Sequence, residues 1–123
     1  MHVRKVVVAV LAAVAVAVVP AASAGAGSAA KAPVKITVTA KEFSFAFTKT
    51  SVPHGTTVVF TLINRGQLSH NLVFTTLGKS TPLLLPGHKA TLKITFTKPG
   101  HYYYICSVPN HAEEGMAGSF IVT

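Results

Sequence analysis

The sequence has one cysteine and only three acidic residues among its 123 positions. A single cysteine cannot form a disulfide within the chain, so internal bridges cannot stabilise the fold. The longest unbroken apolar run, residues 6–19, is shorter than the roughly 20 residues that a membrane-spanning helix needs. The eleven lysines and arginines form no dense cluster, which argues against a nucleic-acid-binding arm.

The first 24 residues have the pattern of a secretory signal peptide. Arg4 and Lys5 precede the apolar run, Pro20 ends it, and Ala-Ser-Ala at 22–24 is a typical cleavage sequence. A membrane anchor is the alternative, and the shortness of the run disfavours it. The sequence therefore predicts a signal peptide at 1–24, a flexible leader at 25–33 and one domain at 34–123. We expect the mature protein to be periplasmic or extracellular, without a membrane span.

The apolar residues of the domain alternate mainly with a period of two. Residues 34–41 and 89–97 alternate apolar with polar side chains, and 57–63 is apolar and β-branched like a central strand. A run of three phenylalanines at 43, 45 and 47 extends the first alternation, with a bulge between. Turn residues separate about seven to eight short strands. We therefore predict an all-β fold, an antiparallel sandwich or barrel.

One loop holds the cysteine together with two further potential metal ligands. The segment CSVPNHAEEGM contains Cys106, His111 and Met116, and no other cysteine or methionine occurs after residue 24. Thiolate and thioether are soft ligands that suit copper, and a blue copper site adds two imidazoles, with the methionine as a weak axial ligand. Zinc also accepts cysteine and histidine, but a thioether argues against it. The adjacent Glu113 and Glu114 are interpreted as solvated charges.

A blue copper site needs a second histidine from outside this loop. His70 is the best candidate, because it follows a loop after the central strand. His54 and His88 lie in turns. His101 is five residues before Cys106, or roughly 16 Å along an extended strand, which is too far to share a metal ion.

The pattern Asn64-x5-His70-Asn71 and the segment PGHYYYICSVPNHAEEGMAGSFIV resemble the cupredoxins, blue copper proteins of the plastocyanin, azurin and auracyanin kind. The resemblance covers about residues 34–123, and the spacing C-x4-H-x4-M is most similar to that of auracyanin. It implies a Greek-key β-sandwich that binds one type 1 copper ion through His70, Cys106, His111 and axial Met116. It also implies that Asn71 hydrogen-bonds towards Ser107 and ties the two ligand segments together.

The activity that the resemblance implies is one-electron transfer between redox proteins such as a cytochrome or an oxidase. The mature chain has nine basic and three acidic residues, a formal charge of +6, so we expect a monomer that docks on acidic partners. A copper carrier or storage protein is the alternative, although carriers favour exposed Met-rich or paired-cysteine sites. Copper enzymes need further copper centres and histidines, so no enzymatic activity is expected. Electrons should pass at the His111 edge, near Pro109 and Ala112.

Overall fold

The structure, a computed structural model, describes residues 13–15 and 31–123. The chain divides into two units, Met1–Ala30 and Lys31–Thr123. Most of the signal peptide and most of the leader lie outside the described residues, so both remain predictions. In the part of the chain that the structure describes, no helix has the length and apolar character to cross a membrane.

Nine strands in Lys31–Thr123 form a sandwich of two sheets. They are β1 (Val34–Lys41), β2 (Ser44–Phe47), β3 (Ser51–Val52), β4 (Thr56–Asn64), β5 (Val73–Phe74), β6 (Lys79–Ser80), β7 (Lys89–Phe96), β8 (Gly100–Ile105) and β9 (Ala117–Val122). One sheet has the order β2-β1-β4-β7 and the other β3-β9-β8-β5-β6. The all-β sandwich is therefore confirmed. The count exceeds seven to eight because β3, β5 and β6 have two residues each, too few to show an alternation.

Both sheets are mixed, so the expectation of an antiparallel sandwich is wrong for two strand pairs, β1 with β4 and β3 with β9. β1 runs parallel to β4, with Val34 opposite Val58 and Ala40 opposite Asn64. β3 likewise runs parallel to β9. The alternation in a sequence indicates which face of a strand is buried, but it carries no information on the direction of the neighbouring strand.

The phenylalanine run after β1 is a hairpin and not a bulged continuation of the strand. Lys41 pairs with Ser44, which leaves Glu42 and Phe43 as a two-residue turn. Two of the three phenylalanines, on β2, pack against the core, while Phe43 is partly exposed and makes a T-shaped contact with the ring of His111. The sequence does not indicate this turn, because Phe43 falls in phase with the alternation of apolar and polar residues.

Phenylalanines from both sheets form the centre of the core. Phe60 of β4 lies with its ring centroid 5.1 Å from Phe74 of β5 and 5.3 Å from Phe120 of β9. Phe96 of β7 is 5.3 Å from Phe120, and all four side chains are buried. Such contacts add to the apolar burial that holds the sheets together. Strands β4 and β7 of one sheet are consequently held against β5 and β9 of the other.

Tyr104 of β8 is one of two tyrosines, with Tyr102, that pack against the core. Its ring centroid lies 4.5 Å from that of Phe47 and 5.9 Å from that of Phe74. Gly118 leaves room for the ring, since a Cβ at that position would collide with the phenol. Burial raises the pKa of Tyr104 above its ordinary value of 10.0.

We expect Tyr104 to contribute to a loss of stability in alkaline solution. The raised pKa means that the folded protein favours the neutral phenol. The contribution of Tyr104 to the free energy of unfolding is therefore complete below about pH 10 and is lost as the pH rises through the pKa of the folded state. Tyr104→Phe should flatten the decline in free energy of unfolding measured by urea titration above pH 10. The exposed Tyr103→Phe is the control, and an equal flattening in both variants would contradict the assignment.

Candidate metal centre

The pairing of β8 with β9 brings Cys106 beside Met116. The ladder between the two strands ends at Ile105 opposite Ala117. Cys106 and Met116 are the next residues, and the Cys106 N–H donates to the Met116 carbonyl at 2.9 Å. The loop that contains His111 is therefore closed at its base by the continuation of a β ladder.

Hydrogen bonds within the loop turn His111 towards the interior. Its N–H donates to the Val108 carbonyl at 3.1 Å, and its carbonyl accepts from the Met116 N–H at 3.0 Å. Gly115 has a φ of +129°, and a Cβ there would lie 2.7 Å from the Phe43 carbonyl oxygen. Only glycine suits this backbone conformation and this close approach. The loop is thus packed against the β1–β2 turn.

His70 comes from the connection between β4 and β5. Its N–H and carbonyl both bond to Leu84, at 3.1 and 2.8 Å, in an isolated bridge. His70 precedes the regular strand, since β5 starts at Val73. The bridge holds His70 in place, and its side chain is completely buried.

Three side chains converge on one point at this end of the sandwich. The His70 and His111 Nδ1 atoms are 3.2 Å apart, and the Cys106 Sγ lies 3.9 Å and 3.6 Å from them respectively. Nitrogen and sulfur ligands bind a first-row metal ion at roughly 2.0–2.3 Å, so ligands of one ion lie roughly 3–4 Å apart. These separations fit a single ion. The group is the one cluster of metal-binding type found among the described residues.

Met116 adds a thioether to this set. Its side chain is completely buried, and its backbone bonds to both Cys106 and His111. Two imidazoles, a thiolate and a thioether form the donor set preferred by blue copper, whereas structural zinc sites use cysteine and histidine without a thioether. The chemistry of the donors therefore fits copper.

Asn71 and Ser107 connect the two segments that carry the ligands. The Asn71 Nδ2 donates to the Ser107 Oγ at 2.7 Å, and the Ser107 N–H donates to the Asn71 Oδ1 at 2.8 Å. Each residue is adjacent in sequence to a member of the cluster. This two-point contact limits the relative movement of His70 and Cys106.

Two polar residues near His70 were not identified from the sequence as parts of the site. Glu42 accepts at one oxygen, Oε1, from the Leu68 N–H at 2.7 Å, the Gln67 N–H at 2.8 Å and His70 Nε2 at 3.0 Å. The backbone N–H of Leu68, together with further hydrogen bonds including that of His70, lowers the pKa of Glu42 to about 2. Because the ring contact is 28 positions away in the chain, sequence spacing gives no signal for it.

The second of these residues, Asn64, organises the loop that Glu42 binds. Its Nδ2 donates to the carbonyls of Leu68 and Leu84, both at 2.8 Å, and its Oδ1 accepts from the Gly66 N–H at 2.9 Å. The side chain is completely buried. The sequence pattern included Asn64, but only the structure shows that it holds both segments flanking His70.

The remaining candidates lie apart from the cluster. His54, His88 and His101 are exposed, and His54 Nδ1 is 2.9 Å from the Thr123 carbonyl. Glu113 and Glu114 are also exposed on the loop. The arrangement thus defines a copper-binding β-sandwich whose donors come from one C-terminal loop and one earlier histidine.

Comparisons with known proteins agree with this class. A family model described as a cupredoxin-like domain matches residues 8–122. The chain is similar in structure to dithionite-reduced auracyanin from Roseiflexus castenholzii, with a TM-score of 0.62, 25% identity, and 75% of this chain and 98% of that chain covered. Auracyanin A, a blue copper protein from Chloroflexus aurantiacus, gives a TM-score of 0.61 at 22% identity, with 75% and 100% covered. No curated protein matches the sequence.

The chain therefore belongs to the cupredoxin family, as its motifs predict. The cofactor of its histidine, cysteine and methionine group is a single copper ion.

The contact between Asn71 and Ser107 predicts unequal effects of two substitutions. Asn71→Ala leaves the Ser107 N–H without its partner and should lower the free energy of unfolding of the apoprotein by about 1–3 kcal/mol. Ser107→Ala removes only the hydroxyl contact and should cost about 1 kcal/mol or less. Urea unfolding of both variants measures the difference. Equal losses would show that the main-chain bond contributes little.

Proposed function

We propose that this protein is an exported type 1 copper protein that carries single electrons between redox partners. His70, Cys106, His111 and Met116 would hold the copper ion. The convergence of the two Nδ1 atoms and Sγ, within 4.8 Å of one another in a buried position, is the observation that carries this proposal. When bound, copper supplies a one-electron redox couple.

The enclosure of the site favours electron transfer over catalysis. All four donor side chains are buried, and together they would supply the complete ligand set of a blue copper ion. A copper ion held by all four would have no ligand position left for a substrate, which supports a non-enzymatic role. The same burial disfavours a carrier or storage protein, because handing an ion to another protein requires exposed ligands.

The surface around His111 and His70 is apolar and suits a docking partner. Phe43, whose ring contacts His111, is partly exposed, and Leu68, Leu83 and Leu85 are more exposed. These leucines lie in the two segments that hold His70 in place. Exposed apolar side chains grouped in this way are typical of interaction sites. We propose that they form a docking surface together with Pro109 and Ala112.

Basic residues border this apolar area and favour an acidic partner. Lys41 ends β1, Arg65 follows β4 and Lys89 begins β7, all at the same end of the first sheet. The register places these ends side by side, since Ala40 pairs with Asn64 and Ile63 with Lys89. We propose that the protein is a monomeric carrier. Together with its excess of basic residues, these side chains would accelerate its encounter with an acidic redox partner, such as a cytochrome or an oxidase.

The visible spectrum of residues 25–123 with one equivalent of Cu(II) tests the copper site. We expect an intense blue thiolate-to-copper band that ascorbate bleaches, because bleaching follows one-electron reduction. Cys106→Ser should abolish the band and keep the far-UV circular dichroism of the apoprotein, since a hydroxyl is nearly isosteric with the thiol. Tight, colourless binding by the unsubstituted protein would instead favour copper storage or handling.

The axial role of Met116 predicts a change in reduction potential. Met116→Leu keeps an apolar side chain of similar size but removes the thioether donor. We expect copper binding to be retained and the potential to rise by roughly 59 mV or more, a tenfold change for one electron. Protein voltammetry measures the shift, and an unchanged or lower potential would argue against Met116 as the axial ligand.

A further inference from the structure

Glu42 provides an anionic contact to the outer nitrogen of His70. It lies in the two-residue turn between β1 and β2, and its side chain retains 25% of its exposure. The Oε1 atom accepts from two backbone N–H groups and lies 3.0 Å from His70 Nε2. A carboxylate with this number of donors is held both in position and in its ionised form.

This contact determines which nitrogen of His70 carries the proton. An ionised carboxylate only accepts hydrogen bonds, so Nε2 must be the protonated nitrogen of the neutral ring. The lone pair is then on Nδ1, the atom that faces Cys106 and His111. A bond from the outer ring nitrogen to a carboxylate is the usual way in which proteins orient a ligating imidazole.

The backbone at Gly66 packs closely against the pair. A Cβ added to Gly66 would lie 2.5 Å from Glu42 Oε1 and 2.8 Å from His70 Nε2. Asn64 fixes the loop on the other side of Gly66 by bonding to its N–H and to the Leu68 carbonyl. The carboxylate, the imidazole and the loop therefore form one closely packed unit.

We propose that Glu42 is a positioning residue that orients His70 as a copper ligand and, through its negative charge, lowers the reduction potential of the site. This inference rests on the proposed copper site. Reduction adds one electron, taken from the donor protein, and moves no proton, because the carboxylate stays ionised in both states. An anion beside an imidazole ligand stabilises the more positive Cu(II) state over Cu(I).

Glu42→Gln separates the charge from the hydrogen bonds. The glutamine oxygen can still accept from the two N–H groups and from His70, so the blue band should persist. At a fixed ambient potential the ratio of Cu(I) to Cu(II) should rise about tenfold, the scale on which outer hydrogen-bond partners act. For one electron this corresponds to about 59 mV, measured by voltammetry. An unchanged or lower potential in a blue Glu42→Gln protein would overturn the proposed effect of charge.

Glu113→Gln is the matched control, because it removes the same charge from an exposed position on the metal loop. Water screens exposed charges, so we expect the ratio of Cu(I) to Cu(II) in Glu113→Gln to change less than about twofold. A shift equal to that of Glu42→Gln would show that net charge alone, and not the contact with His70, sets the potential.

The copper-free protein gives a test that does not depend on the proposed function. Nitrogen-15 chemical shifts of the His70 ring should show the Nε2–H tautomer alone in the unsubstituted protein and in Glu42→Gln. Glu42→Ala, which loses the acceptor, should show a mixture of tautomers. A mixture in the unsubstituted apoprotein would overturn the positioning role. Absence of a blue band after copper addition, with the tautomer as expected, would refute the proposed function and leave the orientation of His70 intact.

Discussion

The register of β8 against β9 is the constraint on which the metal centre depends. Because Ile105 pairs with Ala117, the next residues of the two strands are Cys106 and Met116, and a main-chain bond of 2.9 Å joins them. A slip by one residue would turn Cys106 to the opposite face of the sheet. The aromatic core secures this register, since Tyr104 of β8 and the neighbouring phenylalanines pack only on the inner face. The positions of two donors therefore follow from the packing of the sandwich.

The other half of the centre is assembled from side-chain hydrogen bonds. His70 lies outside the regular strands, and its position depends on Leu84, Asn71 and Glu42. Asn64 supports both flanking segments from the end of β4. Such outer contacts hold ligands in one arrangement and limit the reorganisation that accompanies a change of charge. One half of the centre thus derives its rigidity from a β ladder, and the other from buried polar groups that are fully paired.

Much of this organisation could be predicted from the sequence. Strands β1 and β7 follow the alternation of their residues, and β4 follows its apolar, β-branched run. A cysteine, a histidine and a methionine in one loop indicate soft-metal chemistry without any structure. The turn at Phe43 and the short strands could not be predicted, because Phe43 is in phase with the alternation and two residues are too few to show one. The parallel pairing could not be predicted because it depends on partners distant in the chain. The role of Glu42 also depends on distant contacts. This acidic turn residue reaches His70 only when the hairpin folds over the loop at Gly66.

The charge balance of the centre explains why an anion is tolerated beside a buried ligand. A divalent copper ion with one thiolate and one carboxylate is formally neutral, and adding an electron leaves one negative charge. Burying net charge is costly, so a fully enclosed carboxylate would strongly penalise the reduced state. Glu42 instead lies partly exposed and is bound by the N–H groups of Gln67 and Leu68. Solvent and these donors moderate the penalty, which lets the carboxylate orient His70 while the centre can still be reduced.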